Sequence, residues 1–192
     1  MSLPRIAIVI GSTREGRFAD KPAQWIKKIA EERNDASYEI VDLRDFPLPF
    51  FEEATSPAHA APKNETARRW AAHINEFDGY IFVAAEYNHS MTGVLKNALD
   101  YAYKEFNRKP ATFIAYGGVG GARAVEQLRQ IAVELQLAPI RHAVHIGMIE
   151  FVGMLRDGKS FDDFPYLADS AKAMLSELAW WTDALKNARE AA

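Results

Sequence analysis

The stretch RIAIVIG (residues 5–11) runs directly into STREGR (residues 12–17), and this junction decides the fold. A continuous β-branched run ending at a glycine suits a strand covered on both faces. The polar turn behind it is followed by a helix carrying Trp25, Ile26, Ile29 and Ala30 on one face, with Asp20 expected as its cap and Pro22 in its first turn. A buried strand, a tight polar turn and an amphipathic helix make the opening unit of a parallel α/β sheet.

The same unit recurs along the chain. Strands are expected over 38–43, 79–85 (GYIFVAA), 111–116 and 140–146, with helices over 63–77, around Val94 to Ala102, around Val125 to Leu135, and from about Pro165 to Ala188. Five strands alternating with five helices predict a doubly wound parallel sheet in a three-layer sandwich, one domain over residues 1–192. Asp157–Gly158 reads as a tight turn within a short insertion. Such a sheet places its ligand beyond the carboxyl ends of the strands, where strand order reverses. Three turns leave those ends: 11–17, 86–90 and 117–121.

The first turn has the chemistry of an anion cradle. Free N–H groups at a helix start favour negative charge. Ser12 and Thr13 add hydroxyls, and Arg14 and Arg17 add forked donors that match phosphate. A solvated turn with a capping serine and surface arginines is the competing reading. The turn lacks the terminal Gly-Lys-Ser/Thr of a phosphate loop and the G-x-G-x-x-G of a dinucleotide fingerprint, which disfavours an NTPase or an ordinary Rossmann dehydrogenase. The second turn, Glu86–Tyr87–Asn88–His89–Ser90, offers an aromatic ring beside amides, the mixture a planar heterocycle needs. The third, Gly117–Gly118–Val119–Gly120–Gly121, lets backbone approach a ligand without Cβ clashes, although glycines also make ordinary strand-to-helix turns.

Composition narrows the function. The 192 residues carry a net charge of −3, so no basic excess points to nucleic acid. Cysteine is absent, which excludes disulfides, thiolate metal sites and cysteine nucleophiles. His59, His73, His142 and His145 show no ligand spacing with carboxylates, so no metal site is expected; His89, in the second turn, is a candidate substrate contact. The first apolar run is too short for a signal peptide, no stretch could span a bilayer, and a cytoplasmic location is the default. The loop Phe46–Pro47–Leu48–Pro49–Phe50–Phe51 is too apolar for an ordinary surface loop. It either covers its own sheet or packs against a second subunit. Trp70, Trp180 and Trp181 are read as core or interface residues.

With these residues in view, the chain resembles the NADPH-dependent FMN reductase family, a flavodoxin-like group that includes quinone, azo-dye and chromate reductases. The matching pieces are GSTREGR (11–17), EYNHS (86–90), KNALDY (96–101), Lys109–Pro110 and GGVGGARAVEQLR (117–129), in family order within about residues 5 to 147. The resemblance implies strand order 2-1-3-4-5 and FMN as cofactor with NADPH as reductant. It implies that Ser12, Arg14 and Arg17, with backbone groups at Phe18 and Ala19, hold the FMN phosphate. Glu86, Tyr87 and Asn88, with Gly117 and Gly118, would line the isoalloxazine. It also implies a homodimer or homotetramer and a small acceptor such as a quinone, flavin, azo compound or metal oxyanion. Two departures stand out: Ala85 replaces a proline usual before Glu-Tyr-Asn, and Arg17 and Ala19 stand where many relatives have serine and asparagine. No side chain is nominated as nucleophile or obligatory acid. An electron carrier without nucleotide-dependent activity, or an interaction protein that has lost its flavin, are the alternatives.

Overall fold

The computed structural model describes residues 3–191. Strands β1 (Arg5–Ile10), β2 (Ser37–Asp42), β3 (Gly79–Ala85) and β4 (Pro110–Tyr116) lie parallel in the order β2-β1-β3-β4. The register pairs Ile8 with Ile40 on one side and with Ile81 on the other, and Phe82 with Phe113. Every residue of β3 and β4 is buried, as continuous apolar runs require when helices cover both faces.

Helices α1 (Asp20–Glu31) and the long α6 (Pro165–Glu190) cover one face, while α2 (Glu65–Asn75), α3 (Gly93–Asp100) and α4 (Ala122–Glu134) cover the other. Alternate residues of each strand serve the two cores. Ile6, Ile8 and Ile10 meet Ile26 and Leu175; Ala7 and Val9 face Trp70 and Leu95. The predicted doubly wound sheet of order 2-1-3-4-5 is therefore observed.

Three expectations need correction. The fifth strand is not continuous over 140–146: β5 (Ala138–Pro139) and β6 (Val144–Ile146) each pair with β4, and the chain leaves the ladder after Ile140, whose N–H still donates to the Ala111 carbonyl at 2.9 Å. Other groups draw the chain out there. The backbone N–H of His142 donates to the Glu177 carboxylate of α6 at 2.8 Å, and the Thr112 hydroxyl donates to the His142 carbonyl at 2.7 Å. Residues 148–156, expected to be part of an insertion, form helix α5 (Met148–Arg156), and Gly158 turns the chain after it at φ +68°. Asp20 is not a cap. Ala19 holds that position without a side-chain bond, and Asp20 instead accepts from Arg17 Nε at 2.8 Å.

Candidate functional site

The C-terminal ends of β1, β3 and β4 open onto a cleft of about 290 Å3. Ser12, Arg14, Arg17 and Phe18 line it from the first turn, Glu86 and Tyr87 from the second, and Gly117 and Gly118 from the third. A second hollow of about 290 Å3 lies beyond Arg14 and Tyr87, adding Thr13, Phe50 and Val94. The two share Ser12, Arg14 and Tyr87, and the Arg14 guanidinium stands between them, donating to the Tyr87 hydroxyl at 3.3 Å.

From Ser12 to Ala19 no backbone N–H finds a partner among the described residues, until Lys21 N–H donates to the Phe18 carbonyl at 3.0 Å. Such a run of free donors ahead of a helix is an anion seat by construction. Arg14 is exposed and has no carboxylate partner among the described residues, so its charge is available. Arg17 behaves differently. Its guanidinium is 3% exposed and spans both oxygens of Asp42, with Nη1 to Oδ1 at 2.7 Å, while Nη1 also donates to the Ser12 carbonyl at 2.6 Å. Burial alone would push the Asp42 carboxyl up, but the Arg17 bonds and the Arg44 N–H hold it below the usual carboxylate range. Arg17 thus ties the cradle to the end of β2.

Glu86 is likewise committed. Its side chain is 3% exposed and accepts from Arg123, at 2.6 Å from Nε and 3.2 Å from the backbone N–H, which fastens the start of α4 to the end of β3. Glu86 also packs closely on the glycine turn: a Cβ on Gly117, at φ +155°, would lie 2.9 Å from Glu86 Cβ. Tyr87 and Ser90 exchange backbone bonds at 2.8 and 3.0 Å, closing a two-residue turn with Asn88 at φ +48° and His89 at φ +76°. That turn places Asn88 and His89 at an exposed tip. Neither of them, nor Ser90 or Ala19, lines either hollow.

Residues not singled out from sequence complete the wall. Tyr116 at the end of β4 packs edge-on against Phe18, with centroids 5.0 Å apart, and Phe151 of α5 packs against Phe18 at 4.8 Å. Burial pushes the Tyr116 phenol well up, so it stays neutral. Met148 and Leu155 of α5 close the far side. The apolar stripe of 148–156 was the available signal, masked by the glycines at 147, 153 and 158.

A sheet in this order, with an arginine-bearing turn and a glycine turn meeting at one end, is that of a flavodoxin-like α/β protein. Comparison with known proteins agrees: residues 4–150 match the family model for NADPH-dependent FMN reductases. An NAD(P)H-dependent FMN reductase of Schizosaccharomyces pombe is 34% identical over 145 residues, covering 73% of this chain and 72% of that one. A 2-hydroxy-1,4-benzoquinone reductase of a Burkholderia species is 34% identical over 140 residues, covering 69% and 72%. Among solved structures, the flavoenzyme NAD(P)H:(acceptor) oxidoreductase FerB of Paracoccus denitrificans superposes with a TM-score of 0.73 at 22% identity, covering 95% and 98% of the two chains. The chain belongs to the NADPH-dependent FMN reductase family. It is an oxidoreductase of that family, with FMN as cofactor and a nicotinamide nucleotide as electron source.

Proposed function

We propose that the cleft seats FMN with its phosphate on the 12–19 turn and its ring between the Tyr87 turn and Gly117–Gly118. The run of unpartnered N–H groups before α1 carries this reading, since it accepts a phosphate without rearrangement of the sheet. Ser12, Thr13 and Arg14 supply the direct side-chain donors. Phe18 and Ala19 contribute backbone N–H groups, and Arg17 positions the turn from behind. Glu86 acts through Arg123, holding the glycine turn in place, while Tyr87 borders the ring and Asn88, at the exposed tip of its turn, would reach it only from outside the cleft. The N–H groups of Gly118 and Val119, unpartnered among the described residues, are donors for the polar edge of the ring. His89 and Ser90, which line neither hollow, would meet a substrate only as it enters past the tip of that turn.

Bound FMN supplies the two-electron chemistry. The chain supplies position, a dry apolar wall from Phe18, Tyr116 and Phe151, and no nucleophile. The nucleotide and then a small acceptor use the same open slot, which predicts ping-pong kinetics. Quinones, free flavins, azo compounds and metal oxyanions are the acceptors to assay; relatives named as FMN reductases and as quinone reductases support the first two. This reading places the enzyme in the cytoplasm, with no nucleic-acid partner and a dimer or tetramer as its working form. No helix among the described residues is long and apolar enough to cross a membrane.

Titrating flavin-free protein with FMN, riboflavin and FAD, followed by flavin fluorescence, tests the phosphate seat. FMN binds at least about tenfold more tightly than riboflavin if one charge-assisted bond is lost with the phosphate. Equal affinities would overturn the assignment.

A further inference from the structure

Beside the cradle, on the side away from the glycine turn, lies a groove of about 580 Å3, within the size range of small-molecule sites and larger than either hollow of the flavin cleft. It joins the flavin cleft through Thr13 and Val94, which line both the groove and the outer hollow. Its walls are flat and apolar where Pro47, Leu48 and Pro49 pass. The loop carrying them is held in place. The Asn97 side chain donates to the Pro49 carbonyl at 2.7 Å and accepts from the Phe51 N–H at 2.9 Å. The groove is therefore preformed.

Arg44 lines this groove and Arg69 stands over the Phe46 ring that forms part of its wall. The Asp42 carboxylate accepts the Arg44 backbone N–H at 2.9 Å and feels the Arg44 charge, but it makes its side-chain bonds to Arg17. Arg44 donates from Nε to the Thr13 carbonyl at 3.4 Å and from Nη2 to the Arg14 carbonyl. Arg69 donates from Nη2 to the Asp45 carbonyl at 3.2 Å and lies over the ring of Phe46, 5.6 Å from its centroid. Carbonyls orient a guanidinium but do not neutralise it, and neither guanidinium has a carboxylate partner among the described residues. Arg17, by contrast, has two. Glu53 accepts the N–H groups of Lys63 and Asn64 on Oε1 at 2.8 and 3.0 Å and pairs with neither arginine among the described residues. Arg44 keeps its Nη1 donors free and Arg69 most of its fork, enough for a phosphate dianion.

We infer that this groove receives the adenosine end of the nicotinamide nucleotide, and that Arg44, seconded by Arg69, recognises the ribose 2′-phosphate and so selects NADPH over NADH. The inference rests on the flavin seat proposed above. An extended dinucleotide whose nicotinamide occupies the slot by Tyr87 must run its other end somewhere, and the trough past Arg14 leads here. Apolar walls suit the faces of a purine, and two guanidinium groups without a side-chain ion pair among the described residues suit a dianion at its ribose.

The test titrates FMN-loaded protein with adenosine 2′,5′-bisphosphate, AMP and inorganic phosphate by calorimetry. The bisphosphate is expected to bind about tenfold or more tightly than AMP, with inorganic phosphate weaker than both. Arg44→Gln abolishes that preference, Arg69→Gln reduces it several-fold, and in both the NADPH-to-NADH ratio of kcat/KM falls by the same factor. Equal affinity for the bisphosphate and AMP in the wild type overturns the inference. So does a preference that survives the double variant, or inorganic phosphate binding as tightly as the bisphosphate. Because Arg44 also braces the cradle, FMN affinity is measured in each variant; Arg69 has no cradle contact and keeps the test intact if Arg44→Gln releases flavin. A wild type that binds no FMN yet selects the bisphosphate would sink the flavin seat alone.

Discussion

The resemblance puts both arginines of STREGR on the phosphate and leans more on Arg17, but the two differ in the structure. Arg14 is exposed and unpaired with any carboxylate among the described residues, whereas Arg17 is buried between Asp20 and Asp42. Sequence could place both beside the cradle but could not see that β2 ends in a carboxylate opposite the second. Arg14→Ala is therefore expected to weaken FMN about 10- to 100-fold while leaving the melting temperature of flavin-free protein unchanged. Arg17→Ala strands Asp42 and should cost about 2 kcal/mol, or roughly 4–8 °C, even without flavin. The sign with pH follows from Asp42, whose folded pKa is lowered. The stability it contributes is present above its unfolded pKa and is lost as pH falls through its folded value, so wild type and Arg17→Ala converge in acid, below about pH 4. If Arg14→Ala and Arg17→Ala shift FMN affinity and melting temperature alike, the division of roles is wrong. Glu86 carries the same lesson: its place at the cleft was legible, but its lock on Arg123 depends on a residue thirty-seven positions away.

Elements with strong local patterns were readable: β1, β3 and β4 as unbroken apolar runs, and α2, α3 and α4 by their apolar spacing. The edge at β5 and β6 was not, because its irregularity comes from Glu177 and Thr112 reaching in from other elements. Helix α5, which walls the cleft, was hidden by the glycines around it. The turn between β4 and α4 shows how one element junction is enforced. Gly121 has φ +69°, and a Cβ there would sit 2.5 Å from Ala115 Cβ and 2.7 Å from the Tyr116 N. Only glycine lets α4 start so close to the strand. Gly118 has no such constraint, since a Cβ there meets nothing nearer than Met148 Cε at 3.8 Å. Gly121→Ala should lose at least about 2 kcal/mol in urea denaturation, from positive-φ strain and overlap together. Gly118→Ala should keep wild-type stability yet weaken FMN, because its new methyl enters the ring seat. Equal stability of the two alanine variants would show that the turn relaxes freely, and would remove the reason for a glycine at the junction.

For the molecule as a whole, the apolar loop after β2 resolves into two parts with different partners. Phe46 packs edge-on against Trp70 and Leu48 joins the same core, so this half covers its own sheet as one of the two sequence readings expected. Phe51 leans on Tyr101 with centroids 5.1 Å apart. Phe50 has no such contact and is 90% exposed, on the rim of the outer hollow beside Val94, itself 39% exposed. An aromatic ring held out by a loop pinned at Asn97 and Tyr101 is preorganised to meet another surface. A doubly wound sheet leaves the outer side of its cofactor slot open, and a second copy seated on Phe50 would supply the missing wall. Burying about 200 Å2 of apolar surface at this residue and its counterpart would contribute several kcal/mol to association. Since Phe51 also serves the fold, Phe50→Asp alone is the clean variant. It should lower the mass measured by light scattering, raise KM for nucleotide and acceptor together, and leave the melting temperature of the separated chains unchanged. Retention of wild-type mass and activity by Phe50→Asp would mean that the loop is neither interface nor pocket wall, and that the open side of the slot is closed by something other than a second copy of this chain.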